Sequence, residues 1–237
     1  MENLQTEIIV RSPAGQAEIY YPDSDRRPMA DNDLQYYTMT DTRFALEQRF
    51  INNPDVQVGA DLLVYYQEGN TRSRFAPDVF VVFGVAKGMR RSYKVWEEGK
   101  VPDLIFEIAS ESTWREDIGK KYKLYQKLGI QEYFLFDPSG RYFHPQLQGY
   151  RLWKGRYQAM PELTEKLGKT GYYSQILNLE LWMRENSADK TAEMPYLLRL
   201  YDPVSGDWLR TPTEEAEARR NAEAEIQKLR AELKSGK

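Results

Sequence analysis

PDLIFEIASESTWREDIGKKYKLYQKLGIQEYFLFDP, residues 102–138, carries the changes of periodicity that decide the fold. Its first part, PDLIFEIAS (102–110), is apolar at most positions and follows a proline, as a buried strand does. A helix is predicted from about Thr113 to Leu128. Thr113 and Glu116 have the spacing of a capping box, and Gly129 supplies a stop. Ile118, Tyr122 and Tyr125, with Leu124 and Leu128 on the neighbouring edge, form its apolar stripe. EYFLF (132–136) reads as a second strand, ended by the turn DPSG (137–140).

Upstream stand two more strand-like runs, VQVGADLLVYY (56–66) and FAPDVFVVF (75–83). The loop QEGNTRS (67–73) suits a hairpin between them, and GVAKGMRRSYKVWEEGKV (84–101) is a longer connection. A helix is expected from Asp33 to about Ile51, with Leu34, Tyr37, Phe44, Leu46, Phe50 and Ile51 apolar and NNPD (52–55) stopping it. Residues 1–32 are polar and turn-rich around a β-like AEIYY (17–21). The order through residue 136 is therefore helix, three strands, helix, strand. Downstream, RYFHPQ (141–146), GYRLWK (149–154), LNLELWM (177–183), YLLRLYD (196–202) and DWLRT (207–211) read as added strands. The expectation is one α/β domain with a mixed sheet over residues 1–210, followed by a helical tail over 211–237. In that tail Thr213 is the expected cap, and Ala222, Ile226, Leu229 and Leu233 recur at coiled-coil spacing. A helix this short is marginal alone. Docking on its own domain and pairing with a second copy are both open.

Composition narrows the chemistry. The 237 residues include no cysteine, which excludes disulfides, thiolate metal sites and cysteine nucleophiles. The single histidine, His144, excludes a histidine metal cluster, and no nucleophile elbow accompanies it. Carboxylates must carry any catalytic metal. The net charge of −3 argues against coating nucleic acid through global charge but leaves local phosphate contacts open. The first residues lack a secretory pattern, and no apolar run approaches the roughly 20 residues of a membrane helix. A cytoplasmic protein is expected.

Two acids stand out. Asp78 follows Pro77 at the start of VFVV, and Glu107 lies inside LIFEIA. A carboxylate in an apolar strand is costly to desolvate unless it is paired or binds a metal. Adjacent strands would bring the two together, and their repulsion would favour a cation such as Mg²⁺. The alternative sets each acid on the polar face of a half-buried strand, and periodicity does not reject it. On the following helix Thr113, Asp117, Lys121 and Tyr125 share one face. Asp117 and Lys121 are either an exposed ion pair or part of the same site.

The segments GADLLVYY (59–66), EGN (68–70), APDVFVVFG (76–84), PDLIFEIASESTWRED (102–117) and GKKYKLYQKLGIQEYFLFDP (119–138), with YYPDSDRRPMADN (20–32) upstream, carry a resemblance. Together they resemble the Uma-two family of restriction endonucleases, especially its cyanobacterial type, within the PD-(D/E)xK nuclease superfamily. The resemblance implies a restriction-endonuclease-like core of helix, three strands, helix, strand, the order reached above from periodicity. It implies that Asp78 is the acid of the PD motif and Glu107 the first acid of ExK. The strand lysine is replaced by Ala109, and Lys121 on the helix matches the substituting position, ahead of Lys120 and Lys123. Ser110, Asp117 and Tyr125 match further recurrent positions, and Glu111 stands where many members have proline.

Two functions follow. One is a Mg²⁺-dependent (or Mn²⁺-dependent) endonuclease with metal ligands Asp78, Glu107 and the Ile108 carbonyl, and catalytic residues Asp78, Glu107 and Lys121. Its partner would be nucleic acid, DNA first, met by cations drawn from Arg72, Arg74, Lys87, Arg90, Arg91 and Lys94. The other is an inactive module that acts by homo-oligomerisation or partner binding, suggested by the sequence pI near 5.5, the displaced lysine and the tail. A homodimer is expected in either case.

Overall fold

The computed structural model describes residues 9–11, 17–24, 30–164, 170–187 and 193–234. The expectations for the first eight residues, for 25–29 within YYPDSDRRPMADN and for 235–237 of the tail lie outside the described residues. In chain order the strands are β1 (Ile9–Arg11), β2 (Ala17–Ile19), β3 (Val56–Ala60), β4 (Val64–Tyr65), β5 (Arg74–Phe75), β6 (Val79–Phe83), β7 (Tyr93–Lys94) and β8 (Leu104–Ile108). They continue with β9 (Glu132–Phe136), β10 (Leu147–Trp153), β11 (Arg156–Ala159), β12 (Glu162–Thr164), β13 (Thr170–Ser174), β14 (Leu179–Glu185), β15 (Tyr196–Asp202) and β16 (Asp207–Trp208). Helix α1 spans Asp33–Arg49, α2 Val95–Glu98, α3 residues 114–128, and α4 Pro212–Lys234. Helix, three strands, helix, strand is thus present as α1, β3, β6, β8, α3, β9.

The central sheet has the order β11-β10-β9-β8-β6-β3. β8 and β9 run parallel, Ile105 opposite Tyr133, while β6 pairs antiparallel with both β3 and β8. A parallel pair needs a long crossover, and α3 is that crossover. Alternation along β6 and β8 feeds two cores. Val79, Val81, Leu104, Phe106 and Ile108 face one that also holds Met39 and Leu46 of α1 and Leu179, Leu181 and Leu200 of the second sheet. Phe80, Val82, Ile105 and Ala109 face the other, with Tyr125 of α3 and Val64, Phe75 and Tyr93 of the small sheet β5-β4-β7. Burial on both sides explains why these strands read as continuous apolar runs. Each fully buried side chain of this kind contributes about 1.5–3 kcal/mol, which offsets the ionisable groups held between them. The downstream strands form an antiparallel meander, β12-β13-β14-β15-β16, that shares the first core.

Several local expectations are corrected. The run 56–66 breaks at Asp61, whose φ of 46° ends β3, and Pro77 separates β5 from β6. Each run therefore serves two sheets, with Val64 opposite Phe75 in the hairpin. RYFHPQ is not a strand. The buried Asp137 carboxylate gathers the N–H groups of Ser139, Gly140, Tyr142 and Phe143 and winds the segment into a loop. His144 is exposed on it. The buried face of α1 is Gln35, Thr38, Met39, Thr42, Ala45 and Leu46, whereas Tyr37 and Ile51 are exposed. Thr113 forms no capping hydrogen bond and its hydroxyl lies 2.8 Å from that of Ser110. Thr211, not Thr213, caps α4. Its Oγ1 accepts from the Glu214 N–H, the Glu214 carboxylate accepts from the Thr211 N–H, and Pro212 takes the first helical position.

Candidate metal centre

The register of β6 against β8 places the two acids. Val79 lies opposite Phe106 and Phe80 opposite Ile105, so one more step sets Asp78 against Glu107 on the face of Phe80 and Ala109. Helix α3 covers that face, and Glu107 is only 1% exposed, so it does not sit on a solvated strand face. Asp78 retains partial exposure just before β6 begins.

The middle of α3 is a π turn, Asp117–Lys121, between α-helical Trp114–Glu116 and Tyr122–Leu128. A π turn takes one extra residue and rotates the helix faces on either side of it; such turns recur at functional sites. Here Asp117 turns inward to 0% exposure while Ile118, expected in the apolar stripe, is 46% exposed. Lys121 then reaches both acids: its Nζ is 2.9 Å from Glu107 Oε2 and 2.9 Å from Asp117 Oδ1. The Tyr125 hydroxyl donates to Glu107 Oε1 at 2.5 Å, and Tyr133 ties the turn down by donating to the Asp117 carbonyl at 3.0 Å. Lys120 and Lys123 point to solvent. Of the two readings left open for Asp117 and Lys121, the structure shows the second: a largely buried pair beside Glu107.

Asp78 is held from two sides. Gln35 Nε2 donates to Oδ1 at 3.0 Å and the Ile108 N–H donates to Oδ2 at 2.6 Å. The buried Ser110 hydroxyl donates to Asp31 at 2.5 Å, and Ser112 donates to the same oxygen. The structure thus brings Asp78, Glu107, Asp117, Lys121 and Tyr125 together and sets Ser110 on the adjoining loop. Sequence reasoning missed Gln35 and Asp31. The signal available was a polar residue at a buried phase of α1, at the i, i+3, i+4 positions shared with Thr38 and Met39.

Burial dominates the electrostatics. It raises the Asp78 carboxyl to about 6, against the pull of Lys121 and the Ile108 N–H. It raises Glu107 and Asp117 to about 7 each, with Asp78 adding to the first and Glu107 to the second, while Lys121 opposes both. For Lys121, burial works against the charge, but Glu107, Asp117 and Asp78 together hold its pKa above the ordinary lysine value. Three carboxyl groups thus surround one ammonium. Asp117 has ion contact with Lys121 yet no aligned hydrogen bond on either buried oxygen. More carboxyl groups than ammonium groups in one buried place fit a divalent cation nearby. Among the described residues no group of three or more His, Cys, Asp or Glu side chains is arranged to hold a metal ion.

Five of the six loop cations expected to meet nucleic acid are engaged within the chain. Lys87 donates to the Phe50 and Ile51 carbonyls at the end of α1, Arg90 pairs with Glu98, Arg91 with Asp23 and Lys94 with Glu97. Arg74 donates to the Thr71 carbonyl and Arg72 is exposed. The outer face of α3 instead exposes Arg115, Lys120, Lys123 and Lys127.

Among the described residues no helix is long and apolar enough to cross a membrane. No curated protein matches the chain. Among solved structures, one similar chain is described as "a putative nuclease belonging to DUF820" from Anabaena variabilis. It is 14% identical, with 64% of this chain and 75% of that one covered and a TM-score of 0.43. The sequence profile of the Uma2 family, described as "Putative restriction endonuclease", matches residues 44–171, more than half of the 237 residues, from the last turns of α1 to the start of β13, a span that holds Asp78, Glu107, Asp117, Lys121 and Tyr125. By that match the chain belongs to the Uma2 family.

Proposed function

We propose that this chain is a Mg²⁺-dependent endonuclease that hydrolyses phosphodiester bonds of nucleic acid, DNA first, in the cytoplasm. The observation that carries the reading is the gathering of Asp78, Glu107 and Lys121 on one covered sheet face. Asp78 and Glu107, with the Ile108 carbonyl, would hold the cation. Bound there, it would acidify water and neutralise charge on the phosphate. Glu107 is kept oriented by Tyr125 and Lys121, and Asp78 by Gln35 and the Ile108 N–H. Lys121 supplies the positive charge that Ala109, buried in the core, does not, and offers it to the charge that develops during displacement. Arg115, Lys120, Lys123 and Lys127 would meet the phosphate backbone around the centre.

Supercoiled plasmid incubated with the protein and Mg²⁺ or Mn²⁺ is expected to be nicked or linearised, and EDTA to stop the reaction. Absence of cleavage on DNA and on RNA, with metal present, would leave the module that acts through assembly.

The proposed partner besides nucleic acid is a second copy. None of the described side chains of α4 is buried, and Ile226, Leu229 and Leu233 are 48%, 49% and 79% exposed along one seam. The domain grips only the root of the helix, where Arg199 binds Glu214 through two 2.9 Å contacts. With Ile226 and Leu229 as seam positions, Glu225 and Arg230 flank the seam with opposite charge, which suits a parallel pair. Sedimentation is expected to give a dimer for the wild type and a monomer for Leu229→Asp. A wild-type monomer would remove this proposal.

A further inference from the structure

Gln35 lies in the first turn of α1, 4% exposed, and its amide bridges two segments. Oε1 accepts from the Asp31 N–H at 2.9 Å while Nε2 donates to Asp78 Oδ1 at 3.0 Å. A primary amide has one acceptor end and one donor end. A main-chain N–H can only donate, so Asp31 fixes the acceptor end and the NH₂ group must face Asp78. The second Asp78 oxygen is held by the Ile108 N–H at 2.6 Å. Two donors from two elements thereby set the plane of the carboxylate, and each oxygen keeps a further lone pair for another partner. Asp31 is tethered in turn by the hydroxyls of Ser110 and Ser112. The loop after β8 and the start of α1 are therefore locked to one carboxylate through the chain Ser110, Asp31, Gln35, Asp78.

We propose that Gln35 is a positioning residue of this centre, holding the Asp78 carboxylate in a single orientation toward a divalent cation; the inference rests on the metal-dependent reading above. Tying Asp78 to α1 as well as to β8 removes the rotational freedom that a part-exposed carboxylate at a strand end otherwise keeps.

Binding of Mn²⁺ to the full-length protein, followed by the electron paramagnetic resonance signal of free Mn²⁺, tests this without a nuclease assay. Gln35→Met keeps the volume and removes both hydrogen bonds. Gln35→Asn keeps the amide but is one methylene too short to span Asp31 and Asp78. Partners that orient a metal ligand typically change affinity 10–100-fold when removed, so the Mn²⁺ dissociation constant is expected to rise by about 10–100-fold in both variants. A purely structural Gln35 would lower the melting temperature and leave the folded protein's Mn²⁺ affinity at the wild-type value. That result, in whichever variant folds, overturns the inference. A wild-type protein that binds no Mn²⁺ overturns the metal-dependent reading first, and the inference with it.

Discussion

Glu107→Gln is expected to lower Mg²⁺-dependent cleavage by about 1,000-fold or more while leaving the metal-free fold at least as stable above pH 7. A bound metal supplies several kcal/mol of charge stabilisation and each 1.36 kcal/mol is tenfold in rate, which sets the size of the loss. The stability side follows from the surroundings of Glu107. The side chain is 1% exposed and its charge is disfavoured by burial and by Asp78. Glutamine has the same shape and can keep both contacts. Its oxygen accepts from Lys121, and its NH₂ donates to the Tyr125 hydroxyl, which can act as acceptor. Lys121 retains Asp117 as counter-ion. Cleavage assays and thermal melting at pH 8 measure the two effects. A variant that cleaves normally would remove Glu107 from the centre.

Lys121→Met is expected to cost about 100- to 1,000-fold in cleavage rate, the range for loss of one transition-state stabiliser. Unlike Glu107→Gln, it is also expected to destabilise the fold, by about 3–5 kcal/mol at pH 8, because breaking a buried ion pair leaves uncompensated charge behind. Its ammonium is 2.9 Å from both Glu107 and Asp117, each with a side chain 1% exposed. The pH dependence has a definite sign. Burial raises these two carboxyls to about 7 in the folded protein, whereas an unfolded chain ionises them near pH 4. Between about pH 4 and 7 the folded state binds more protons than the unfolded, so their contribution to stability falls as pH rises. Without Lys121 the carboxyls titrate higher still. The destabilisation of the variant should therefore be small at pH 5 and largest at pH 8, as urea denaturation at the two pH values would reveal. Equal losses at both would contradict a buried cluster. Cleavage at the wild-type rate would transfer the role to Lys120 or Lys123.

The two variants separate charge from shape at one site. Both should be poor nucleases, but one relieves the excess of buried negative charge and the other deepens it. Opposite stability changes at pH 8 are the signature of three carboxyl groups around a single ammonium.

Residues 102–138 by themselves determined the strand–helix–strand unit at the heart of the fold. LIFEI and EYFLF are each buried at every position, and such runs declare themselves without reference to any partner. α1 and the composition limits were legible for the same reason: breakers, caps and missing residue types are local properties. Asp78 and Glu107 were visible as acids in apolar runs, but whether they faced each other was not. Tertiary structure decided that, through the register of β6 on β8 and the second core laid over their shared face. It also decided between the two readings of Lys121, setting its ammonium between Glu107 and Asp117 at the π turn in the middle of α3. The break at Asp61, the loop organised by Asp137 and the grip of Gln35 on Asp78 arise likewise from contacts outside the local pattern. Periodicity reports which residues avoid water, whereas the partner that an ionisable group meets inside is set by how separate elements pack.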